Sequence, residues 1–366
     1  MNTKIVLSKS AFKIPSSGLS VGANNILNFE KSLENYLREN KFVVALNSGT
    51  SAIHLALILA GVAAGDEVLC QTFTYVAAVN PILYQKAIPI FIDSETTTWN
   101  MCPLLLEEAI LDRISKGKKP KAIIYVHSYG MPAMIDEISS IASKYEIILI
   151  EDAAEALGSM YKGKKCGTFG DFGIFSFNNN KIMTTFGGGA LICKNTIDKD
   201  KAIFLATQAK EDAPHYEHAE IGYNYSMSNI LAGVGVLQMK NIAKYIHLRK
   251  RLNADYKEFF KDVKGVAFLE EPNANFLSNQ WLTCILIDEK IAGFNNQDLR
   301  ATLLNDNIES RFLWKPMHLQ PAFKTFLFFG KKNSETLFNK GLCLPSSAGL
   351  TKTEFNRITL SINKLL

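Results

Sequence analysis

The chain is short of several things, and each shortage removes a class of protein. No apolar run is long enough to span a bilayer, which takes about 20 residues in a helix. The opening residues MNTKIVLSKSAFKIP lack the apolar core of an export signal. The expectation is a cytoplasmic protein without membrane contact. The six cysteines (Cys70, Cys102, Cys166, Cys193, Cys284 and Cys343) have no paired close spacing. Most sit in apolar runs, so they read as reduced core residues rather than a disulfide frame or a metal site. Charge of one sign is also thin, a net +5 spread along 366 residues. The clusters Lys116 to Lys121 and Lys162 to Lys165 have no interleaved aromatics, which argues against a nucleic-acid surface. A mildly positive surface suits a phosphorylated substrate instead. Internal repeats and low-complexity segments are absent as well.

What remains is an ordinary globular composition, 47% hydrophobic and 20% charged, with enough chain for two domains. From Phe29 the spacing Phe29, Leu33, Tyr36, Leu37 is helical. Strand candidates then alternate with helices. Phe42 to Leu46 precedes a helix over Ala52 to Ala60, and Glu67 to Cys70 precedes a helical stretch over Tyr75 to Tyr84 interrupted by Pro81. Ile88 to Ile92 ends at Asp93 and precedes Leu104 to Ile114. Ala122 to Val126 precedes Ile135 to Lys144, and Ile147 to Ile150 is apolar on both faces. This alternation argues for an α/β protein with a mainly parallel sheet between helices. Ligands in such sheets bind beyond the carboxyl ends of the strands. A helix over Lys199 to Gln208 and a long one from Met239 to about Phe260 follow. The division is placed there, with a large domain over 1–238 and a smaller α/β domain over 239–366.

The centre of the chain is residues 170 to 193, GDFGIFSFNNNKIMTTFGGGALIC. Two apolar runs, Gly173 to Phe177 and Ala190 to Cys193, suit buried strands. Between them stands Lys181. A lysine held between buried strands is poorly solvated, and a neutral amine forms Schiff bases. Gly187, Gly188 and Gly189 allow a close backbone approach to a ligand. The plainer reading is a surface hairpin with a solvated lysine.

Three other stretches carry chemistry. Asn47-Ser48-Gly49-Thr50-Ser51 lies between a strand and a helix start, where backbone N–H groups bind anions. Plain capping by Ser48 or Thr50 is the compatible alternative. Asp152 follows the most apolar strand, where a carboxylate is costly unless it meets a cation. It reads as the partner of a protonated ring nitrogen or as a helix cap. Finally, Glu309 to Pro321, ESRFLWKPMHLQP, crowds Arg311, Trp314, Lys315 and His318 between two prolines, either as part of a site or as structure.

The anion turn, the strand-end Asp and the hairpin Lys, in that order, resemble a fold-type I pyridoxal-phosphate enzyme. In detail the chain resembles the DegT/StrS-type nucleotide-sugar aminotransferases. The motifs are NSGTSAIHLAL, QTFTYVAAVNPI, HSYGMP, EDAAEALGSMYKGKKCGTFGDFGIFSFNNNK, TTFGGG, GYNYSMSN and WKPMHLQP. The subgroup with the greatest likeness aminates UDP-linked 4-keto-6-deoxy-N-acetylglucosamine, the bacillosamine route. A GDP-perosamine synthase type is the alternative, and a non-catalytic cofactor-binding regulator is the reading from another class.

The resemblance implies a seven-stranded, mainly parallel sheet and a smaller C-terminal domain. It implies pyridoxal 5'-phosphate as cofactor, glutamate and a nucleotide-linked keto sugar as substrates, and a homodimer. Lys181 would be the Schiff-base lysine and proton shuttle. Asp152 would pair with the ring nitrogen, and Tyr75 would stack on the ring. Ser48, Gly49, Thr50 and Ser176 would hold the phosphate, with Asn224 reaching the phosphate of the neighbouring subunit. Glu155 would stand near the ring hydroxyl. His318, Lys315, Asn178 and His215 would face the substrate. Dehydratases of this fold carry His at the lysine position, so Lys181 argues against that activity. The chain departs from the family at the short arm Ser10 to Ser17, at Asn179, at Phe186 and at Ser226.

Overall fold

The apolar runs meet in one twisted sheet. From edge to edge its strands are Phe42–Leu46, Gly189–Cys193, Phe172–Ser176, Ile148–Asp152, Ala122–Val126, Glu67–Gln71, Ile88–Ile92 and Phe328–Phe329. Gly189–Cys193 runs antiparallel to both neighbours, and the strands from Phe172–Ser176 to Phe328–Phe329 are parallel. The seven expected strands are therefore extended by an eighth, a two-residue edge supplied by the C-terminal part of the chain. The structure is a computed structural model that describes residues 3–9, 22 and 24–366. The expected short arm Ser10 to Ser17 lies outside the described residues.

Helices cover both faces of the sheet, over two apolar clusters centred on residues such as Ile123, Tyr125 and Phe175 on one side and Ile124, Ile150 and Leu191 on the other. Successive residues of one strand fall in different clusters, as the period of 2 requires. A second, antiparallel sheet of four strands, Val266–Phe268, Thr283–Ile287, Gly341–Leu344 and Arg311–Phe312, has its own core with Tyr256, Leu299 and Ile358. Among the described residues no helix is long and apolar enough to cross a membrane.

One helix reading changes. Pro81 does not interrupt a helix but starts one, Asn80–Tyr84, after the short turn Val76–Ala78. Its missing N–H costs nothing in a first turn. The long helix forms close to where it is expected, as Ile242–Phe260, and is preceded across a short break by a separate helix, Asn229–Met239. At the break the Asn241 side chain donates to the Leu237 carbonyl, a local bond that competes with the helical ladder.

The edge strand Phe42–Leu46 is blunted from within. Glu34 and Glu30, one turn apart on the helix Asn25–Leu37, accept the N–H groups of Val43 and Ala45, both at 2.9 Å. The rest of that edge is covered by Tyr225 to Met227, where the Asn47 N–H donates to the Tyr225 carbonyl and the Met227 N–H to the Ala45 carbonyl.

At the far side, Glu67 and Arg113 form a two-pronged pair, Nη2 to Oε1 at 2.7 Å and Nε to Oε2 at 2.8 Å. Both side chains are buried, Glu67 at 4% and Arg113 at 7% exposure. Arg113→Met would strand a buried carboxylate, with only Lys118 nearby at 3.8 Å. The expected loss is about 3 kcal/mol of unfolding free energy, measured by urea denaturation.

Candidate active site

The carboxyl ends of the parallel strands open into a cavity of about 1020 Å³. Its floor begins at the turn after Phe42–Leu46. Ser48 is extended and caps the helix Gly49–Leu59, its Oγ accepting the Ser51 N–H at 3.0 Å. Capping and anion binding coexist here, because Ser48, Gly49 and Thr50 also line the cavity. Ser176 joins them from the end of its strand. A Cβ on Gly49 would stand 3.1 Å from the Ser176 Cβ, a tight approach that a larger residue could make only if the neighbouring segment gave way slightly.

The glycine triplet serves this turn in a different way from the one expected. A Cβ on Gly189 would fall 2.3 Å from the Ser48 carbonyl carbon and 2.4 Å from the Gly49 nitrogen. The close approach is of backbone to backbone. Gly189→Ala must push the anion turn aside and is expected to cost about 1–3 kcal/mol, checked by denaturant titration. Gly187, which lines the cavity, has open space around its missing side chain.

Two buried carboxylates stand across from the turn. Asp152 is the last residue of its strand, and its Oδ1 accepts the Ala154 N–H at 3.0 Å. Burial pushes its pKa up, and the Ala154 N–H, Lys181 and His127 pull it partly back. Glu155 accepts the Tyr129 N–H at 2.7 Å through Oε2. Burial raises its pKa too, against the pull of Lys181. The neighbour of Asp152 in sequence, Glu151, faces the other way. It accepts the N–H groups of Gly167, Phe169 and Gly170 and meets His127 Nε2 at 2.8 Å. His127 Nδ1 accepts the Ala133 N–H at 3.0 Å. His127, Glu151 and Cys166 lie within metal-ligand reach of one another. Hydrogen bonds already occupy the imidazole and the carboxylate, so the cluster acts as an anchor for the loop behind Asp152.

Lys181 projects into the cavity from the turn between two antiparallel strands. Its Nζ lies 3.5 Å from Glu155 Oε1 and 4.3 Å from the centre of the Trp281 ring. It is mostly buried, which excludes the solvated-hairpin reading. An aromatic wall continues from there. Tyr129 is parallel to Trp281 and to Trp314, at 6.4 and 5.7 Å between ring centres. Trp314 in turn meets Tyr75 at 5.5 Å. Tyr75 is 54% exposed, its ring turned to the cavity. Tyr129 holds a left-handed φ of 58°, a strained conformation that recurs at ligand sites.

The cavity thus collects Ser48, Gly49, Thr50, Tyr75, Asp152, Glu155, Ser176, Asn178 and Lys181. Four expected site residues lie elsewhere. Asn224 is exposed, its carbonyl accepting from Asn47 Nδ2. His215 is exposed and pairs with Glu217 at 3.3 Å. Lys315 points to solvent. His318 is turned away by the short helix Met317–Leu319. It bonds Thr72 Oγ1 at 2.8 Å and stacks on Phe328 at 3.7 Å, and burial lowers its pKa. The same stretch does reach the cavity through Glu309, Arg311 and Trp314. Lys9 and Trp281 also line it. For Lys9 and Trp281 the only signal in the sequence is residue type, a basic residue and an aromatic one.

Comparison with known proteins agrees with this arrangement. Residues 11–363 match the model of the DegT/DnrJ/EryC1/StrS aminotransferase family. EpsN of Bacillus subtilis (strain 168), provisionally described as a pyridoxal phosphate-dependent aminotransferase, is 48% identical over 89% of this chain and 85% of that protein. GDP-perosamine synthase of Escherichia coli O157:H7 is 33% identical over 96% of this chain and 93% of that protein. A DegT DnrJ EryC1 StrS aminotransferase structure from Brucella abortus has a TM-score of 0.86 at 30% identity, covering 94% of this chain and 91% of its own. With this fold, this site and these relatives, the chain belongs to the DegT/DnrJ/EryC1/StrS family of pyridoxal phosphate-dependent aminotransferases.

Proposed function

We propose that the protein moves an amino group from glutamate to the 4-keto carbon of a nucleotide-linked 4-keto-6-deoxy sugar. UDP-4-keto-6-deoxy-N-acetylglucosamine is the favoured acceptor. The observation that carries the reading is Lys181, held against Glu155 at 3.5 Å in a cavity that also contains Asp152 and a helix N-terminus. The donor set fits the cofactor group by group. The turn Ser48 to Thr50 with Ser176 offers N–H and hydroxyl donors to a phosphate. Asp152, a buried carboxylate without a full counter-charge, suits a protonated ring nitrogen. Tyr75 presents a ring face. When bound, pyridoxal phosphate supplies the electron sink that makes nitrogen transfer feasible.

The chain's own residues do the rest. Asp152 keeps the ring nitrogen protonated. Lys181 Nζ takes the proton from the amino-acid carbon and returns it to the sugar carbon. Tyr75 and Trp314 exclude water from one side. Lys9 lines the cavity with Arg311, which pairs with Glu309 at 2.8 Å, and offers positive charge to an anionic nucleotide. Asn224 is exposed on its own subunit, which supports a homodimer in which it reaches the neighbour's phosphate.

A second reading, a GDP-perosamine-type enzyme, is favoured by the 33% identity to a perosamine synthase over nearly the whole chain. Incubation with cofactor, glutamate and either keto sugar separates the two, with the 4-amino product read by mass. Product from the UDP sugar alone supports the proposal, and product from the GDP sugar alone replaces it. Failure of glutamate to convert the bound cofactor to its amine form sinks both.

A further inference from the structure

Trp281 is gripped unusually firmly for a cavity-lining side chain. It is 1% exposed. Its N–H donates to Asn279 Oδ1 at 2.9 Å, and its carbonyl accepts from the Arg249 guanidinium. Its indole Nε1–H donates at 2.8 Å to the carbonyl of Asn180, the residue before Lys181. Ser8 Oγ donates to the same Asn180 carbonyl at 2.8 Å, and accepts from Arg249 Nη2 at 3.1 Å. Arg249 also binds the Ser346 carbonyl at 2.7 Å. It is fully buried, and burial lowers its pKa to about 9. One guanidinium therefore ties the N-terminal segment and Trp281 to the turn that carries Lys181. The ring so fixed has the Lys181 Nζ 4.3 Å from its centre, with Glu155 Oε1 at 3.5 Å from the same nitrogen.

From this geometry we infer that Trp281 and Glu155 form a cradle that receives the Lys181 ammonium whenever the lysine is released from the cofactor. The inference rests on the proposed role of Lys181. In a transamination cycle the lysine is covalently engaged in one half and free in the other. On passing from the first half to the second, one amino group leaves glutamate, 2-oxoglutarate forms, one water is consumed and the lysine amine is set free. The freed amine takes up a proton. An indole face and a carboxylate both favour that charged form. While the nitrogen is shared with the cofactor carbon it carries at most one proton, so both contacts favour it less. The cradle therefore favours the aminated form of the holoenzyme. Trp281 acts through Lys181, as a positioning residue. The indole N–H bond to Asn180 keeps the ring and the lysine in register.

The test is an equilibrium one. Holoenzyme is titrated with fixed ratios of glutamate to 2-oxoglutarate, and the two cofactor forms are read from the visible spectrum. Trp281→Leu is expected to move the balance about tenfold toward the lysine-linked form. Trp281→Phe keeps a ring but loses the indole N–H, and should move it part of the way. If the Leu variant does not fold, the Phe variant decides. Ratios unchanged in the variants that fold, or shifted toward the aminated form, overturn the cradle. A side chain that only packs would lower stability without moving this ratio. Borohydride reduction followed by peptide mass analysis runs alongside. A cofactor label on Lys181 with an unmoved ratio removes the cradle and leaves the aminotransferase reading. No label on Lys181 removes the lysine's proposed role and the cradle with it.

Discussion

Lys181→Ala is expected to lower turnover on the order of 10⁴-fold while leaving the fold intact, since it removes the amine proposed to carry the proton between carbons. The side chain contributes one ion pair at 3.5 Å and one ring contact, and the backbone of its turn is held independently. Lys181 N–H donates to the Asn178 carbonyl, and the Asn180 carbonyl is held by Ser8 and Trp281. Truncation therefore leaves the turn in place and leaves Glu155 without its cation. Glu155 keeps the Tyr129 N–H, which limits the damage. The assay is single-turnover conversion of the cofactor by glutamate, with far-ultraviolet circular dichroism as the control for folding. A variant retaining more than a hundredth of wild-type turnover would reassign the proton transfer to another group.

The legible part of this protein was what local rules specify. Continuous apolar runs mark strands buried on both faces, and these gave the parallel sheet and hence the end at which a ligand binds. Asp152 was readable because it lies just beyond such a run, and Lys181 because it stands in a short polar turn between two of them. Ser48 was readable because a strand followed by small polar residues and an apolar helix is a capped helix start. Gly189 was visible as one of a triplet, but its partner was not. The pairing with Ser48 is set by the antiparallel register of Gly189–Cys193 against Phe42–Leu46, in which Leu46 lies opposite Gly189.

What stayed hidden depends on contacts between distant segments. Trp281 lies 101 residues from Asn180, whose carbonyl it binds. Lys9 and Arg311 meet the same cavity from the N-terminal segment and from an edge strand of the second sheet. The stretch ESRFLWKPMHLQP read as one site, and the fold divides it. Arg311 and Trp314 turn into the cavity, whereas the short helix Met317–Leu319 carries His318 back toward Thr72. Its proximity to the strand ends is real, but its ring is occupied with Thr72 and Phe328.

Asp152→Asn is expected to act in opposite directions on the two states of the enzyme. In the apoprotein burial raises the Asp152 pKa, even though the Ala154 N–H, Lys181 and His127 oppose the shift. A folded-state value above the unfolded one, about 3.9, gives a contribution to stability that is fully present below the unfolded pKa. That contribution is lost as pH rises through the folded value. At neutral pH the burial of this acid therefore costs the apoprotein stability. Asparagine is neutral and still offers Oδ1 to the Ala154 N–H. The variant apoprotein should resist urea better than wild type at pH 7, and its advantage should shrink as pH falls toward 4. In the holoenzyme the sign reverses. In the proposed role the carboxylate meets the ring cation, and its loss should weaken cofactor binding by about 2–5 kcal/mol. Denaturant midpoints across pH, with and without pyridoxal phosphate, separate the two effects. Greater stability without cofactor together with weaker binding of it means that Asp152 is kept for the ring nitrogen rather than for the fold. A variant destabilised in both states would instead make Asp152 a structural cap.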